Sequence, residues 1–296
     1  MPELPDITVY VEALERRLIG ARLVGLRIVG LNLLRTVEPE PQAAIGREVL
    51  GLRRIGKRVV IGFDGELFFV LHLMISGRLR WSEADAAVPG KVGLAAFRFS
   101  SGTLILTEAA TKKRASLHVI QGEAVLEEQD RGGIDPLAAT AAQFARTLRS
   151  ESHTVKRALT LPRLFSGIGN AYSDEILHRA KMSPMLLTGR ITDAQVKTLR
   201  QATCEVLVEW TERLRKEMGE GFPTKVSAFR KEMAVHGKFK QPCPVCGAPV
   251  QRVVYADNEM NYCARCQTEG RLLADRALSR LLKADWPKTL EEMEEE

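Results

Sequence analysis

The chain has 296 residues, 45% of them hydrophobic, and a formal net charge of +6. Its length supports two or three modules rather than one small domain. No run of about 18 apolar residues is present, and the N-terminus lacks the basic-then-apolar pattern of a secretory signal, so neither a membrane span nor a secretory signal is indicated. We therefore expect a cytoplasmic protein.

The positive charge is distributed unevenly along the chain. Five acidic side chains lie in the last six positions, 291–296, so the remainder carries a net charge of +11. A surface of this kind suits a polyanion, and nucleic acid is the commonest one. A basic soluble protein without such a partner is an equal alternative from charge alone.

The first predicted element follows the opening MPELPD. From Asp6 onward, apolar residues recur at helical spacing, and Gly20 can end the helix in a left-handed conformation. The acids beside the N-terminus have two interpretations. They are the polar start of this helix, or the terminus itself is the reactive group.

Residues 22–120 change to a strand pattern. Short β-branched or apolar runs are separated by Gly, Ser and Asp, and Ser-Ser-Gly at 100–102 is typical of a hairpin turn. Several short strands at this spacing predict a sandwich or a barrel.

A helical pattern begins after Pro136, which places a domain boundary near residue 135. Within this region Thr192 and Gln195 form a capping-box motif at the start of a long helix. Residues 219–240 then lose their periodicity and become basic, which is typical of a loop.

Four of the five cysteines form two Cys-x-x-Cys pairs separated by sixteen residues. This spacing is that of a β-hairpin whose two knuckles bind one tetrahedral zinc ion. Four thiolates fill the coordination sphere, so we expect a structural Zn²⁺ rather than a catalytic one. Free thiols or an iron site are the alternatives. The predicted ligands are Cys243, Cys246, Cys263 and Cys266.

A Gly-Ile-Gly-Asn turn at 167–170 leads into a further helix. Glycines permit a close backbone approach, and a helix N-terminus favours phosphate, so the turn is a phosphate site in principle. Lys156 and Arg157 lie upstream and could flank the same phosphate. A tight helix-helix connection without a ligand is the commoner explanation for such a turn on its own.

Taken in order, these segments resemble the formamidopyrimidine-DNA glycosylase and endonuclease VIII family of base-excision-repair enzymes, and its formamidopyrimidine branch more closely. The resemblance covers residues 2–268. The residues that carry it are PELPD, Lys57 within RRIGKR, HLMISGRL at 72–79, the stretch from Lys156 through GIGNAYSDE, and the four-cysteine finger.

The resemblance implies an α+β multi-domain fold. Its parts are an N-terminal β-sandwich with a leading helix, a helix-two-turn-helix domain and a C-terminal zinc-ribbon finger. We expect a catalytic sandwich at 1–135, DNA-binding helices at 136–222, a basic loop at 223–238, the finger at 239–269 and a C-terminal helix with an acidic tail at 270–296.

The resemblance also implies the reaction, namely removal of formamidopyrimidine or 8-oxopurine type bases followed by cleavage at the abasic site. Loss of Met1 would free the secondary amine of Pro2, which would attack the sugar C1′ and form a Schiff base. By the same resemblance, Glu3 is the acid-base residue, and Lys57 contacts phosphate and assists elimination. The expected partner is double-stranded DNA with oxidised bases or abasic sites, bound by a monomer that acts at the bacterial nucleoid.

The resemblance assigns further residues to DNA binding. His72 matches a position near the DNA, Ile75 stands where the family inserts a methionine into the base stack, and Arg114 lies in a loop that lacks the family's aromatic wedge. Lys156, Asn170 and Tyr172 match a phosphate clamp. Asn258 replaces a family arginine, so it should hold a phosphate more weakly.

Two alternatives remain open at the level of sequence. A non-catalytic protein that recognises damaged DNA on the same scaffold is favoured if Met1 is retained, because acylation of the proline nitrogen removes the nucleophile. The other alternative is a lyase that acts mainly on abasic sites. Leu272, Leu273, Leu278, Leu281 and Leu282 also predict a packing helix before the acidic tail.

Overall fold

The protein is described by a computed structural model that covers residues 1–30, 32–224, 226, 229–255, 258–274 and 288–294. The chain forms two compact units, Met1–Gly132 with Val208–Ser227, and Gly133–Leu207 with Ala228–Glu296. The five predicted segment boundaries stay predictions. The units differ from them in one respect, because the end of the long helix belongs to the first unit.

The first unit is a β-sandwich behind a leading helix, as predicted. Two four-stranded antiparallel sheets have the orders β1-β6-β7-β5 and β2-β3-β4-β8. Their bounds are α1 Leu4–Leu18, β1 Leu23–Ile28, β2 Val49–Ile55, β3 Arg58–Phe63, β4 Leu67–His72, β5 Gly77–Ser82, β6 Gly93–Phe99, β7 Gly102–Glu108, β8 Ser116–Gln121 and α2 Glu123–Glu127.

The core of this unit lies between the sheets and against α1. Phe69 of β4 contacts Phe63 edge-on at a ring-centroid distance of 4.9 Å and Phe97 of the other sheet at 5.8 Å. Tyr10 and Leu14 of α1 are fully buried in the same cluster. Burial of such side chains stabilises the fold by about 1.5–3 kcal/mol each, so the sandwich is held mainly by apolar packing.

The predicted hairpin turn is confirmed. Phe99 pairs with Gly102, which leaves Ser100 and Ser101 as a two-residue turn between β6 and β7. β2 was not predicted as a strand, because its sequence VLGLRRI carries two arginines and a glycine in place of a continuous apolar run. Pairing with β3 on one side supplies the hydrogen bonds that local preference does not.

The second unit combines helices with the finger hairpin. The capping box predicted for its longest helix is confirmed, since Gln195 N donates to Thr192 Oγ1 at 3.3 Å and Thr192 N to Gln195 Oε1 at 2.9 Å. The bounds are α3 Ala141–Arg149, α4 Val155–Thr160, α5 Asn170–Arg179, α6 Asp193–Met218, β9 Gln251–Tyr255, β10 Asn258–Tyr262 and α7 Ala264–Thr268.

The chain after α7 is described in part. Leu272 and Leu273 pack against the finger core, and Leu290 begins a short helix that ends at Glu294. The predicted helix positions Leu278, Leu281 and Leu282 lie outside the described residues. Among the helices that are described, none has both the length and the apolar character needed to cross a membrane.

Candidate functional site

The N-terminus lies at the start of α1. Glu3 is the N-cap residue, and the Oδ2 atom of Asp6 accepts a hydrogen bond from Glu3 N at 3.0 Å. Glu3 and Asp6 are both buried, at 2% and 1% exposure. The helix therefore begins at Leu4, earlier than the predicted start at Asp6. Asp6 acts from the third position of the helix as the partner of the N-cap backbone.

The α-amine of Met1 is affected by several nearby charged groups. Burial lowers the pKa of the Met1 α-amine, and the positive charges of Arg78 and Lys57 lower it further, whereas the carboxylates of Glu3 and Asp6 raise it. The reference pKa of an α-amine is roughly 7.7–8.0. A lowered value increases the neutral, nucleophilic fraction near neutral pH.

Lys57 lies in the two-residue turn between β2 and β3, after Gly56, whose φ of 59° suits the first position of such a turn. Burial lowers the pKa of the Lys57 ammonium, and the carboxylate of Glu3 opposes that change. Glu3 therefore interacts electrostatically with both the α-amine and the ε-amine. One carboxylate and two amines of lowered pKa can carry out general acid-base and nucleophilic chemistry.

His72 ends β4 next to this group. Its Nδ1 atom accepts a hydrogen bond from Met74 N at 3.1 Å, which leaves the proton on Nε2. Burial lowers the pKa of His72 to about 4, and the charges of Arg58 and Lys57 contribute to this shift. His72 is therefore a neutral donor at physiological pH, suited to a hydrogen bond with a phosphate oxygen rather than to an ion pair.

Ile75 lies at the tip of the loop between β4 and β5, and its side chain is 58% exposed. The loop is tight, because Gly77 N donates to Leu73 O at 2.8 Å and a Cβ atom on Gly77 would lie 2.3 Å from that oxygen. Arg78 Nη1 donates to Ile75 O at 3.2 Å and to Gly77 O at 2.7 Å. Arg78 therefore holds this loop through hydrogen bonds, and its charge also lowers the pKa of the terminal amine.

Arg114 lies in the loop between β7 and β8, where its side chain is exposed. Its backbone N–H donates to Glu108 Oε2 at 2.9 Å. Lys112 beside it is exposed and Lys113 is half-buried. The loop therefore presents cations, as the sequence predicts, and it has no aromatic side chain.

The second unit holds the other predicted DNA-binding residues, and it uses most of their polar atoms internally. Lys156 Nζ donates to Asp174 Oδ1 at 2.5 Å, to Ser173 Oγ at 2.9 Å and to Asn170 O at 3.2 Å. An ammonium has three donors, so all of them are occupied. A direct phosphate contact would require Lys156 to exchange one of these bonds.

Asn170 begins α5, and its Nδ2 atom donates to Glu259 O of β10 at 2.7 Å. Tyr172, two residues later, is 1% exposed and packs in the core. The structure thus places Tyr172 inside the unit rather than at its surface, because that position of α5 faces inward. Asn258 opens β10, and its side chain lies outside the described part of the chain.

Asp174 and Glu175 organise this region. Asp174 Oδ2 lies 2.8 Å from His236 Nδ1 and accepts from Asn261 N at 3.2 Å. Glu175 accepts from the backbone N–H groups of residues 234, 235 and 236 at 2.8–2.9 Å. These two acids therefore fix the segment before the finger onto α5, a role that the helical pattern alone does not reveal.

The four predicted cysteines come together as one cluster. Their Sγ atoms all lie within 4.8 Å of one another. A tetrahedral ion with Zn–S bonds of about 2.3 Å requires sulfur separations of about 3.8 Å, so the cluster fits one zinc ion. Burial raises the pKa of the Cys263 thiol to about 11, and the charge of a bound metal would stabilise the thiolate. The ligands would be Cys243, Cys246, Cys263 and Cys266.

Three family models cover these parts in sequence. They are described as the formamidopyrimidine-DNA glycosylase N-terminal domain, at residues 1–114, the formamidopyrimidine-DNA glycosylase H2TH domain, at 133–218, and the zinc finger found in FPG and IleRS, at 240–268. A formamidopyrimidine-DNA glycosylase of Roseiflexus sp. is 32% identical over 279 residues, which cover 90% of this chain and 100% of that protein. This chain belongs to the formamidopyrimidine-DNA glycosylase family.

Two further relatives support the assignment. A protein of Mycobacterium tuberculosis named as uncharacterized and formamidopyrimidine-DNA glycosylase-like is 40% identical over 151 residues, 51% of this chain and 94% of that protein. The Lactococcus lactis FPG (MutM) structure with FAPY-dG containing DNA has the same fold, with a TM-score of 0.79 at 23% identity over 90% of this chain and 100% of the other. The member described here is thus a DNA-binding DNA glycosylase with one structural zinc.

Two residues of this formamidopyrimidine-DNA glycosylase family member were missed from the sequence. The charge of Arg78 lowers the pKa of the terminal amine, and Glu108 accepts hydrogen bonds from the β4–β5 loop and from the β7–β8 loop. In the sequence both are ordinary polar positions of β-strands. The signal that could have found Glu108 is an acid at the end of the otherwise apolar run LILTE.

Proposed function

We propose that this protein removes oxidised bases from double-stranded DNA and then cleaves the abasic site through a Schiff base at Pro2. The base class is the formamidopyrimidine or 8-oxopurine type. We further propose that it acts as a cytoplasmic monomer. The observation that carries the proposal is the terminal amine, whose pKa is lowered by burial, Arg78 and Lys57 beside the carboxylate of Glu3.

The proposal requires that Met1 be removed, because only then is the Pro2 nitrogen a free secondary amine. Pro2 is buried next to Glu3, so processing would place this nitrogen at the start of α1. The helix N-terminus carries a partial positive charge, which disfavours protonation of an amine there. The environment that lowers the Met1 pKa would therefore act on Pro2 as well.

The proposed reaction begins at the Pro2 nitrogen, which bonds to C1′ while the base leaves with the electron pair of the glycosidic bond and takes up a proton. The carboxylate of Glu3 accepts the N–H proton that the amine gives up. Glu3 protonates the ring oxygen as the sugar opens, and the resulting iminium ion withdraws electrons from C2′. Loss of the C2′ proton then expels the 3′ phosphate, with Lys57 near that phosphate, and water hydrolyses the iminium ion to release Pro2.

The lesion class is supported by the relatives rather than by a residue of this chain. The structures that share the fold include a Lactococcus lactis FPG with Fapy-dG containing DNA, another with abasic-site DNA, and a MutM with carbocyclic 8-oxo-G containing DNA. Each of those proteins is thus bound to DNA that carries a damaged nucleotide. Within a duplex, a glycosylase must extrude such a nucleotide to reach its C1′.

The test uses processed protein, with the loss of Met1 checked by intact mass, on duplexes that carry either an oxidised guanine or an abasic site. We expect base release from the first and strand cleavage with both. Protein that retains Met1 is the matched control and should do neither. Strand cleavage without base release would assign the protein as an abasic-site lyase, and binding without either reaction would assign it as a damage-recognition protein.

A further inference from the structure

Glu108 is a buried carboxylate outside the predicted catalytic set. It ends β7 opposite Gly77 of β5 and is 1% exposed. Its Oε1 atom accepts from Ser76 Oγ at 3.0 Å, and its Oε2 atom accepts from Arg114 N at 2.9 Å and Ala115 N at 3.0 Å. One side chain therefore fixes two loops that are distant in sequence.

The first of these loops carries an exposed apolar tip. Ile75 is 58% exposed, and Met74 before it has a φ of 51°, a conformation that costs about 1 kcal/mol or more for a residue other than glycine. The bond from Met74 N to His72 Nδ1 and the bond from Arg78 to Ile75 O hold this geometry from both sides. The tip is therefore a rigid feature and not a flexible surface loop.

The second loop carries positive charge. Arg114 and Lys112 are exposed, and the Lys113 Nζ atom donates to the backbone oxygen of Glu108. An apolar side chain beside cations matches the chemistry of a wedge, in which the apolar group enters a base step and the cations contact the flanking phosphates. Both parts must keep a fixed spacing for this to work.

We propose that Glu108 is a positioning residue, which holds the Ile75 loop and the Lys112–Arg114 loop at the spacing needed to probe a duplex at a damaged nucleotide. The inference rests on the proposed glycosylase function. Glu108 uses both oxygens as acceptors, so glutamine keeps one acceptor and turns an N–H group towards the other donors. The substitution changes the loops while it preserves side-chain size.

The experiment compares Glu108→Gln with Asp64→Asn in the processed full-length protein. Asp64 is a suitable control, because its carboxylate also accepts a backbone N–H, that of Glu48 at 3.3 Å, in a loop without these features. Two reactions are measured on each preparation, namely single-turnover excision of an oxidised base from duplex DNA and cleavage of an abasic site in single-stranded DNA. A fluorescent adenine analogue opposite the lesion reports insertion into the stack.

We expect the rate of duplex excision by Glu108→Gln to fall about tenfold or more, because the substitution leaves a buried N–H donor without its acceptor. The rise in fluorescence on binding should also be lost. Cleavage of the single strand, which has no stack to fill, should change by less than about twofold. Intact single-strand cleavage also shows that the variant is folded. Equal losses in both reactions, or no loss in either, would overturn the proposal. A wild-type protein inactive on every substrate would instead refute the proposed function.

Discussion

The two units differ in how they use their charged side chains. In the first unit burial lowers the pKa values of the terminal amine and of Lys57, and the carboxylate of Glu3 opposes that change at both amines. The positive charges of Arg78 and Lys57 lower the pKa of the terminal amine further. In the second unit Lys156 lies 2.5 Å from Asp174, a buried acid that His236 also contacts. Like charges predominate in one group, and opposite charges are paired in the other.

This difference indicates a division of tasks. Amines of lowered pKa that keep a proton-transfer partner can react, whereas a paired and hydrogen-bonded network fixes the backbone in place. We therefore propose the first unit as the site of chemistry. The second unit provides a stable scaffold, in which α5, the segment at 234–236 and the zinc finger are connected by the same acids.

The largest expected effect concerns the zinc ion of the second unit. Cys266→Ser should lose the metal and the order of the finger, because binding of a structural zinc contributes about 10–16 kcal/mol of apparent free energy in small fingers. Cys204→Ser, at the remaining cysteine, is the control and should keep one zinc per chain. Metal content and limited proteolysis at 239–269 measure the outcome. A Cys266→Ser protein with a full zinc complement would contradict the assignment.

Glu3→Gln tests the reactive group proposed for the first unit. Loss of the proton-transfer group should lower the rate of base release by about a hundredfold to ten-thousandfold. Glu15→Gln, on the same helix, should leave that rate within about twofold, since surface changes away from the site have little effect. Single-turnover excision from a damaged duplex measures both variants. A rate close to the wild-type value in Glu3→Gln would remove Glu3 from the mechanism.

Asp174→Asn tests the paired network. The Asp174 side chain is fully buried, so its loss leaves the Lys156 ammonium without its counter-charge and should lower the free energy of unfolding by about 3–5 kcal/mol. Asp193 pairs with Arg149 at 93% exposure, and Asp193→Asn should cost no more than about 1 kcal/mol. Denaturant unfolding of both variants measures the difference. Equal small costs would show that the network contributes little to stability.

Arg78→Gln should change the pH dependence of Schiff-base formation. The reactive amine is the neutral form, which is populated above its pKa, and the charge of Arg78 lowers that pKa. Its removal should therefore move the acid limb of the pH profile to higher pH. Arg80→Gln, an exposed neighbour on β5, is the control. An unshifted profile would show that the charge of Arg78 does not lower this pKa.

Sequence patterns predicted those features that depend on local spacing. The cysteine cluster, the hairpin at Phe99 and Gly102, and the capping box at Thr192 all follow from short motifs, and all are confirmed. The roles proposed for Pro2 and the other site residues stay predictions. Features that depend on distant contacts were not predictable.

Three residues illustrate that limit. Tyr172 follows the Gly-Ile-Gly-Asn turn, and only the packing of α5 shows that it is buried. Lys156 belongs to the predicted phosphate clamp, and only the fold shows that its ammonium is paired with the carboxylate of Asp174. Glu108 accepts hydrogen bonds from residues both before and after it in sequence, 32 positions away in the case of Ser76. Such contacts arise from strand pairing, so a local sequence pattern does not predict them.

We propose that the N-terminal nitrogen, and not a lysine, attacks the sugar. Lys57 is the alternative nucleophile, because burial lowers the pKa of its amine too. Borohydride trapping of processed protein on abasic duplex DNA, followed by peptide mass mapping, distinguishes the two. We expect the adduct to lie on the N-terminal peptide at Pro2 and to form in Lys57→Arg as well. An adduct on Lys57, or no adduct with processed protein, would contradict it.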